Sequence, residues 1–391
     1  QILIPSDGDG GEQFGTSVAI WGDFIIVGAP HAGPLAQTNR GQAYIFQRDI
    51  NDNWNEVEIL VASDSLGLEE FGDSVSIWED RAVVGNSLGN LTIPQGNEGK
   101  AYVFERDING DWNEVDILSA SDNGTDDGFG NSVDIFGDYI IVGARLADFT
   151  PQAGPVQVNR GKAYIFERDI NGDWSEVSIL LASDGEPDAE FGAGVSVYNK
   201  TAIVGAPLTN VNPPGNIDQG KSYVFKRDET LGWVQEQILI ASDGASPDRF
   251  GESVSMDGLT VVVGGNRARP QGIVAQGAAW VFGLAEKNPI VTTDLGASRL
   301  VYFYDTSAPT ALPTDRSTSI QVANITDDQV CIHVQVFKAD DSCVEVDFTD
   351  CLTPRDVNLY DIENLPGEPD LSDSYGFVVV SVDTGPTDSL I

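Results

Sequence analysis

The sequence is poor in the residues that metal cages and nucleophilic triads are usually built from. Only two histidines occur in 391 residues, His31 and His333, far apart in the chain. No HExxH helix, Ser/His/Asp cluster or histidine-rich metal cage can be assembled from them. Cysteine is almost as scarce, with Cys331, Cys343 and Cys351 all near the C-terminus, which permits one disulfide and leaves an odd thiol. Positive charge is short too: 21 basic residues stand against 61 acidic ones, a formal charge of -40. Nucleic acid and anionic lipid are therefore repelled as partners. No apolar run approaches the roughly 18 residues of a membrane span, so direct membrane insertion is not expected. Met256 is the only methionine and Gln1 opens the numbering, which leads us to expect a processed, secreted protein. Four sequons, at Asn90, Asn123, Asn199 and Asn324, are compatible with that expectation.

Glycine and short apolar runs are plentiful, and they are periodic. Phe-Gly pairs begin at Phe14, Phe71, Phe129, Phe191 and Phe250, at intervals of 57, 58, 62 and 59 residues. Seven residues before each Phe stands an aspartate (Asp7, Asp64, Asp122, Asp184, Asp243). Fourteen after it stands a glycine (Gly28, Gly85, Gly143, Gly205, Gly264). Each unit holds four alternating apolar runs, shown by SVSIW, RAVVGN, GKAYVFER and EVDILSA in the second copy. Period-two alternation between turn residues predicts a four-stranded antiparallel blade, and the missing 3.6 period excludes helical solenoids. Blades stack radially because each sheet must bury both faces against its neighbours. The fold class expected is all-β, a five-bladed β-propeller over 1–284 with an immunoglobulin-like β-sandwich over 285–391.

Four units end in an outer strand (EVEILVASD, EVDILSASD, EVSILLASD, QILIASD), whereas the fifth stops after AAWVFG. The opening QILIPSD matches QILIASD at 237–243, so Ile2, Leu3 and Ile4 are expected to form the missing strand beside Ala279–Phe282, closing the ring as a latch or exchanging between subunits.

FGTSVAIWGDFIIVGAP and FGAGVSVYNKTAIVGAP, with the other three copies, resemble the FG-GAP repeat family of integrin-like propellers over about three quarters of the chain. The resemblance implies extracellular adhesion or ligand recognition, though some members of the family sit beside enzymatic domains. Integrin-type repeats hold calcium in a long DxDxDGxxD loop between the first two strands. Here that link is as short as Glu79-Asp80, so those sites are not carried over. The ASDG before the FG pair resembles the bacterial form of the repeat.

Calcium remains the one cofactor expectation, at two other kinds of acidic loop. One is the third hairpin, with Asp107, Asn109 and Asp111, which also reads as an Asn-Gly turn. The other links successive blades, with Asp64 and Glu70, Asp122 and Asp127, and Asp184 and Asp188, where an aspartate that pins the turn is the competing reading. The loops between second and third strands vary most among copies, as recognition loops do. Their charges are Arg40, Arg145, Arg160, Arg267 and Arg269 against Glu98, Asp148 and Asp218, net +2, which marks the arginines as partner contacts or as solvated loop residues. An enzyme would need converging carboxylates. Asp73, Asp134 and Glu252 stand on the innermost strands where sister blades carry neutral residues, and five-bladed glycosidases resemble this arrangement.

Beyond residue 285, strands are expected at 299–304, 317–323, 330–337, 343–348, 357–360 and 375–382. A hairpin at 338–342 would bring Cys331 and Cys351 onto adjoining strands, making them the favoured disulfide. His333 lies on the polar side of its strand, away from Val330, Ile332, Val334 and Val336. The segment also resembles a module at the ends of bacterial surface proteins. The function expected is adhesion, or a self-assembling structural subunit of an extracellular fibre or surface layer. Its partners would be further copies, another surface protein or a glycan. The alternative is a secreted carbohydrate-binding or glycosidase-like propeller.

Overall fold

The structure is a computed structural model that describes residues 1–284 except 9, 34–39, 65–68, 89–97, 123, 152–153, 212–217 and 270–275. Beyond 284 it describes the backbone of six strands. Sequons Asn90, Asn123 and Asn324, Cys343 and much of the second-to-third-strand loops lie outside the described residues. The chain separates into two compact units, 1–286 and 287–391.

The first unit is a five-bladed β-propeller, and every described element in it is β-strand. Blade one is β1 (Ser17–Trp21), β2 (Phe24–Ala29), β3 (Gln42–Arg48) and β4 (Trp54–Leu60). Blade two is β5 (Ser74–Trp78), β6 (Arg81–Asn86), β7 (Lys100–Arg106) and β8 (Trp112–Leu118). Blade three is β9 (Phe129–Phe136), β10 (Tyr139–Ala144), β11 (Lys162–Arg168) and β12 (Trp174–Leu180). Blade four is β13 (Val195–Tyr198), β14 (Thr201–Ala206), β15 (Lys221–Asp228) and β16 (Gly232–Leu239). Blade five has three strands, β17 (Ser253–Asp257), β18 (Thr260–Gly265) and β19 (Ala278–Gly283). All pair antiparallel with their chain neighbours, as two-residue links between alternating runs require.

The alternation fills the boundary between blades. Ile26, Ala43 and Ile45 of blade one meet Phe71, Val75, Ile77 and Val84 of blade two in one buried cluster. The same cluster recurs between blades two and three, three and four, and four and five. Four of the FG phenylalanines, Phe71, Phe129, Phe191 and Phe250, are fully buried wedges at these boundaries. Phe71 packs edge-on against Tyr102 and Phe104, at 5.2 and 6.1 Å between ring centroids. The glycine fourteen residues on is a contact point between backbones: a Cβ on Gly85 would overlap the carbonyl oxygen of Gly130 in the next blade. Gly28, Gly143 and Gly205 stand in the same relation to Gly72, Gly192 and Gly251. At the far ends of the inner strands, Trp21, Trp78, Phe136 and Tyr198 stack in sequence across four blades.

The latch expected at residues 1–5 is not formed as a strand. Gln1 donates to the Trp54 carbonyl at 2.7 Å and accepts from the Trp54 N–H at 2.8 Å, and Leu3 packs on the core of blade one. These contacts hold the segment on blade one. Ile2 and Ile4 stay exposed, and among the described strands β19 pairs with β18 alone.

The second unit has β20 (Arg299–Asp305), β21 (Ser319–Ala323), β22 (Val330–Lys338), β23 (Glu345–Leu352), β24 (Val357–Asp361) and β25 (Tyr375–Asp383). They form two antiparallel sheets, ordered β20-β25-β22-β23 and β21-β24. Cys331 and Cys351 are register partners in the β22–β23 ladder.

Candidate functional site

The FG turns gather the polar groups of the propeller at one end. The residue before each FG phenylalanine is left-handed: Gln13, Glu70, Gly128, Glu190 and Arg249 have φ between 53° and 69°. This conformation leads the chain from the blade link into the inner strand, where the residues two positions after the phenylalanine include Asp73, Asn131 and Glu252. Between blades two, three and four lies a cavity of about 400 Å³ lined by Asp73, Ser87, Asp126, Asn131, Arg145 and Ala193 among others. Ser87 donates to Asp73 at 2.8 Å, and Asn131 accepts from the Arg145 N–H at 3.1 Å while its amide donates to the carbonyls of Gly192 and Ala193. Burial pushes the Glu190 carboxyl up, with the Arg145 guanidinium pulling the other way.

The three candidate acids have different partners. Asp134 is enclosed between blades and accepts hydrogen bonds from Ser76 of blade two at 2.7 Å and from Ser196 and the Val197 N–H of blade four, both at 2.8 Å. Its neighbour Ile135 N–H donates to it at 3.0 Å. The chain of bonds continues outward, since Ser196 Oγ accepts from the Met256 N–H of blade five at 3.2 Å. Burial pushes the Asp134 carboxyl up, against the pull of these four donors. Asp134 is thus a clamp across three blades. Asp73 lines the cavity, whereas Glu252 lies 3.9 Å from Arg249.

The linker aspartates take a different partner from the backbone N–H expected. Asp64 accepts from Lys100 Nζ at 2.6 Å and from the Tyr102 hydroxyl at 2.8 Å. Asp122 binds Lys162 and Tyr164, and Asp184 binds Lys221 and Tyr223, in the same way. In blade one Gln42 replaces the lysine beside Asp7 and Tyr44, and in blade five the Trp280 indole N–H donates to Asp243 at 2.8 Å. Burial raises these carboxyls, but the lysine and tyrosine bonds together outweigh it and hold Asp64, Asp122 and Asp184 below the usual carboxylate range. A donor set already neutralised by a lysine does not fit calcium, which takes six to eight oxygens.

The other calcium candidates are also spoken for. Asp107 Oδ1 accepts the N–H groups of Asn109 and Asp111 at 2.9 Å, the geometry of an Asx turn within the hairpin. Glu70 lies 3.4 Å from His31 Nε2, Asp127 accepts the Gly124 N–H, and Asp188 accepts from the Asn159 amide. Among the described residues no group of three or more His, Cys, Asp or Glu is placed to hold a metal ion.

The five arginines divide. Arg160 is buried, donates to the Ala182 carbonyl at 2.6 Å and lies over the Phe149 ring at 4.3 Å, and Arg40 reaches the Ala62 carbonyl at 3.2 Å. Both bind the outer-strand end of their own blade. Arg145, Arg267 and Arg269 are exposed, and only Arg145 joins the cavity. A second cavity of about 670 Å³, on blade three, is lined by Asp122, Thr125, Asp127, Asp148, Phe149 and Lys162 among others. Sequence reasoning missed the lysines and tyrosines. Their signal was present as GKAYVF, GKAYIF and GKSYVF, whose lysines follow the linker aspartate by 36, 40 and 37 residues.

A family model described as FG-GAP repeat matches residues 1–46, 54–104, 112–166, 174–225 and 233–282. No curated protein matches the chain. Among solved structures, a GH32 beta-fructofuranosidase of Bombyx mori, BmSUC1, aligns at 13% identity over 94% of this chain and 89% of that one, with a TM-score of 0.38.

Proposed function

Because the chain belongs to the FG-GAP repeat family, we propose that it acts as a non-catalytic protein of the cell exterior, through adhesion or by assembling with its own kind. The observation that carries this reading is the use made of the acids. Asp134 ties three blades together and Asp64, Asp122 and Asp184 each neutralise a lysine, so the groups best placed for chemistry serve the scaffold. The strongly acidic composition supports a solvated exterior role and disfavours nucleic acid. Partners on this reading are further copies, a surface protein or a glycan.

The cavity beside Asp73 supports a second reading. Asp73, Ser87, Asn131 and Arg145 bring donors and acceptors of both kinds to one concavity, a chemistry suited to sugar hydroxyls. Two measurements separate the readings: particle mass of the full chain by light scattering with negative-stain imaging, and binding and hydrolysis assays on a glycan panel. Growth beyond one chain without hydrolysis supports the first reading. A monomer that cleaves a glycan, with loss of cleavage in Asp73→Asn, would replace it.

A further inference from the structure

The first unit offers no metal-ligating set among its described residues. The second unit assembles one by register. Its larger sheet runs β20-β25-β22-β23, so β22 is an inner strand with β25 on one side and β23 on the other. Residues directly opposite one another in an antiparallel pair share a face, and so do residues two apart on one strand. Cys331 of β22 is the register partner of Cys351 on β23 and of Asp383 on β25. His333, two residues along β22, stands in the next row between Thr349 and Ser381. Cys331, Cys351, His333 and Asp383 therefore fall on one face, within two neighbouring rows of three strands.

The other face differs in character. Ile332, Val334 and Val336 alternate with these residues on β22 and pair with Val382, Val380 and Val378 of β25. An antiparallel sheet packs its core on such an apolar face, and at this end of the sheet the chemistry-bearing residues gather on the opposite one. The spacings of a sheet suit a metal. Neighbouring strands lie about 4.8 Å apart and same-face residues of one strand about 6.8 Å apart. Three corners at that spacing are close enough for one ion to be held at zinc–donor distances of about 2.0–2.3 Å, the imidazole covering the longer side.

We propose that Cys331, Cys351 and His333 bind one zinc ion. Two thiolates and an imidazole are donor types that zinc takes, and three protein donors leave the fourth position of the tetrahedron open. Asp383 in the row of the cysteines, and the formal charge of -40, favour a cation there. Binding exchanges two thiol protons for one Zn2+, with no change of oxidation state. A disulfide between Cys331 and Cys351 is the competing use of the pair. It forms one S–S bond, releases two protons and gives two electrons to an oxidant, and it leaves His333 without a role. One of the two histidines in the chain stands two residues from the inner-strand cysteine, on that cysteine's own face. The site is independent of either reading of the propeller.

The test uses the full chain prepared with zinc and without added reductant. Native mass spectrometry is expected to show one zinc in place of two protons, and all three thiols are expected to titrate once denaturant and a chelator are added. Cobalt in place of zinc is expected to give the visible bands of a tetrahedral ion and a thiolate charge-transfer band in the near ultraviolet. That readout needs no variant, and so covers the case in which a substitution unfolds the unit. His333→Ala is expected to weaken zinc at least about tenfold. The double variant Cys331→Ser, Cys351→Ser is expected to lose it. A single titratable thiol in the denatured chain would show a disulfide and overturn the site. Zinc held equally well by the double variant would belong to surface acids and would also overturn it, as would three free thiols with no metal retained.

Discussion

Ser196 of blade four donates its hydroxyl to Asp134 Oδ2 of blade three at 2.8 Å, and from the other side Ser76 of blade two donates to Oδ1 of the same carboxylate at 2.7 Å. One side chain thereby joins three blades along the channel. Removing it in Asp134→Ala leaves the N–H groups of Val197 and Ile135 and two hydroxyls facing a void, at a cost of about 3 kcal/mol. Urea unfolding of the two proteins checks this figure. Ser76→Ala and Ser196→Ala each remove a single donor and are expected to cost about 1 kcal/mol.

Acid sensitivity follows from the linker aspartates. Asp64, Asp122 and Asp184 are held below their ordinary value when folded, so between the folded value and about 3.9 the unfolded chain binds more protons. Their contribution is complete above that range and is lost as pH falls through it. Thermal midpoints recorded from pH 6 to pH 2.5 are expected to drop through this window. The drop is expected to be shallower in the triple variant Asp64→Asn, Asp122→Asn, Asp184→Asn.

The glycine contacts separate inner from outer positions. Gly85→Ala forces the Gly130 carbonyl away and is expected to cost about 1–3 kcal/mol by overpacking, whereas Gly264→Ala, whose methyl displaces only the Ser253 hydroxyl of its own blade, is expected to cost less. Denaturant midpoints of the dilute proteins give the comparison.

The arginines split in the same manner. Arg160→Met loses the bond to the Ala182 carbonyl and the charge over Phe149, and is expected to lose about 1–2 kcal/mol of stability. Arg145→Ala is expected to leave the unfolding midpoint unchanged and to weaken any glycan that occupies the cavity, read by calorimetry on the two variants.

The blades were legible because their information is local and repeated. Alternation within a dozen residues sets each strand, and the FG phenylalanine and the glycine fourteen later recur at fixed intervals, so the spacing of Phe71 and Gly85 by itself marks a blade boundary. The partners of Asp64 were harder to read. Lys100 and Tyr102 lie 36 and 38 residues away, and only the joint recurrence of the three residues in three units, visible after superposing the copies, points to them. Arg160 shows the opposite failure: an arginine in a variable loop suggests a free charge, and only the fold turns it inward onto Ala182. The QILIPSD pattern marks residues 1–7 as resembling a blade's last strand, but the segment lies on blade one without forming the strand expected beside Ala279–Phe282. Whether β19 reaches that strand depends on the rotation from blade to blade, summed over the propeller, and no local pattern carries a sum.

Hydrogen exchange at two protein concentrations tests most directly whether the chain assembles with its own kind. Amides at the contact between copies are expected to exchange fast when dilute and to gain protection as concentration rises, while β5 to β16 stay protected throughout. Exchange that is the same at both concentrations would contradict the account.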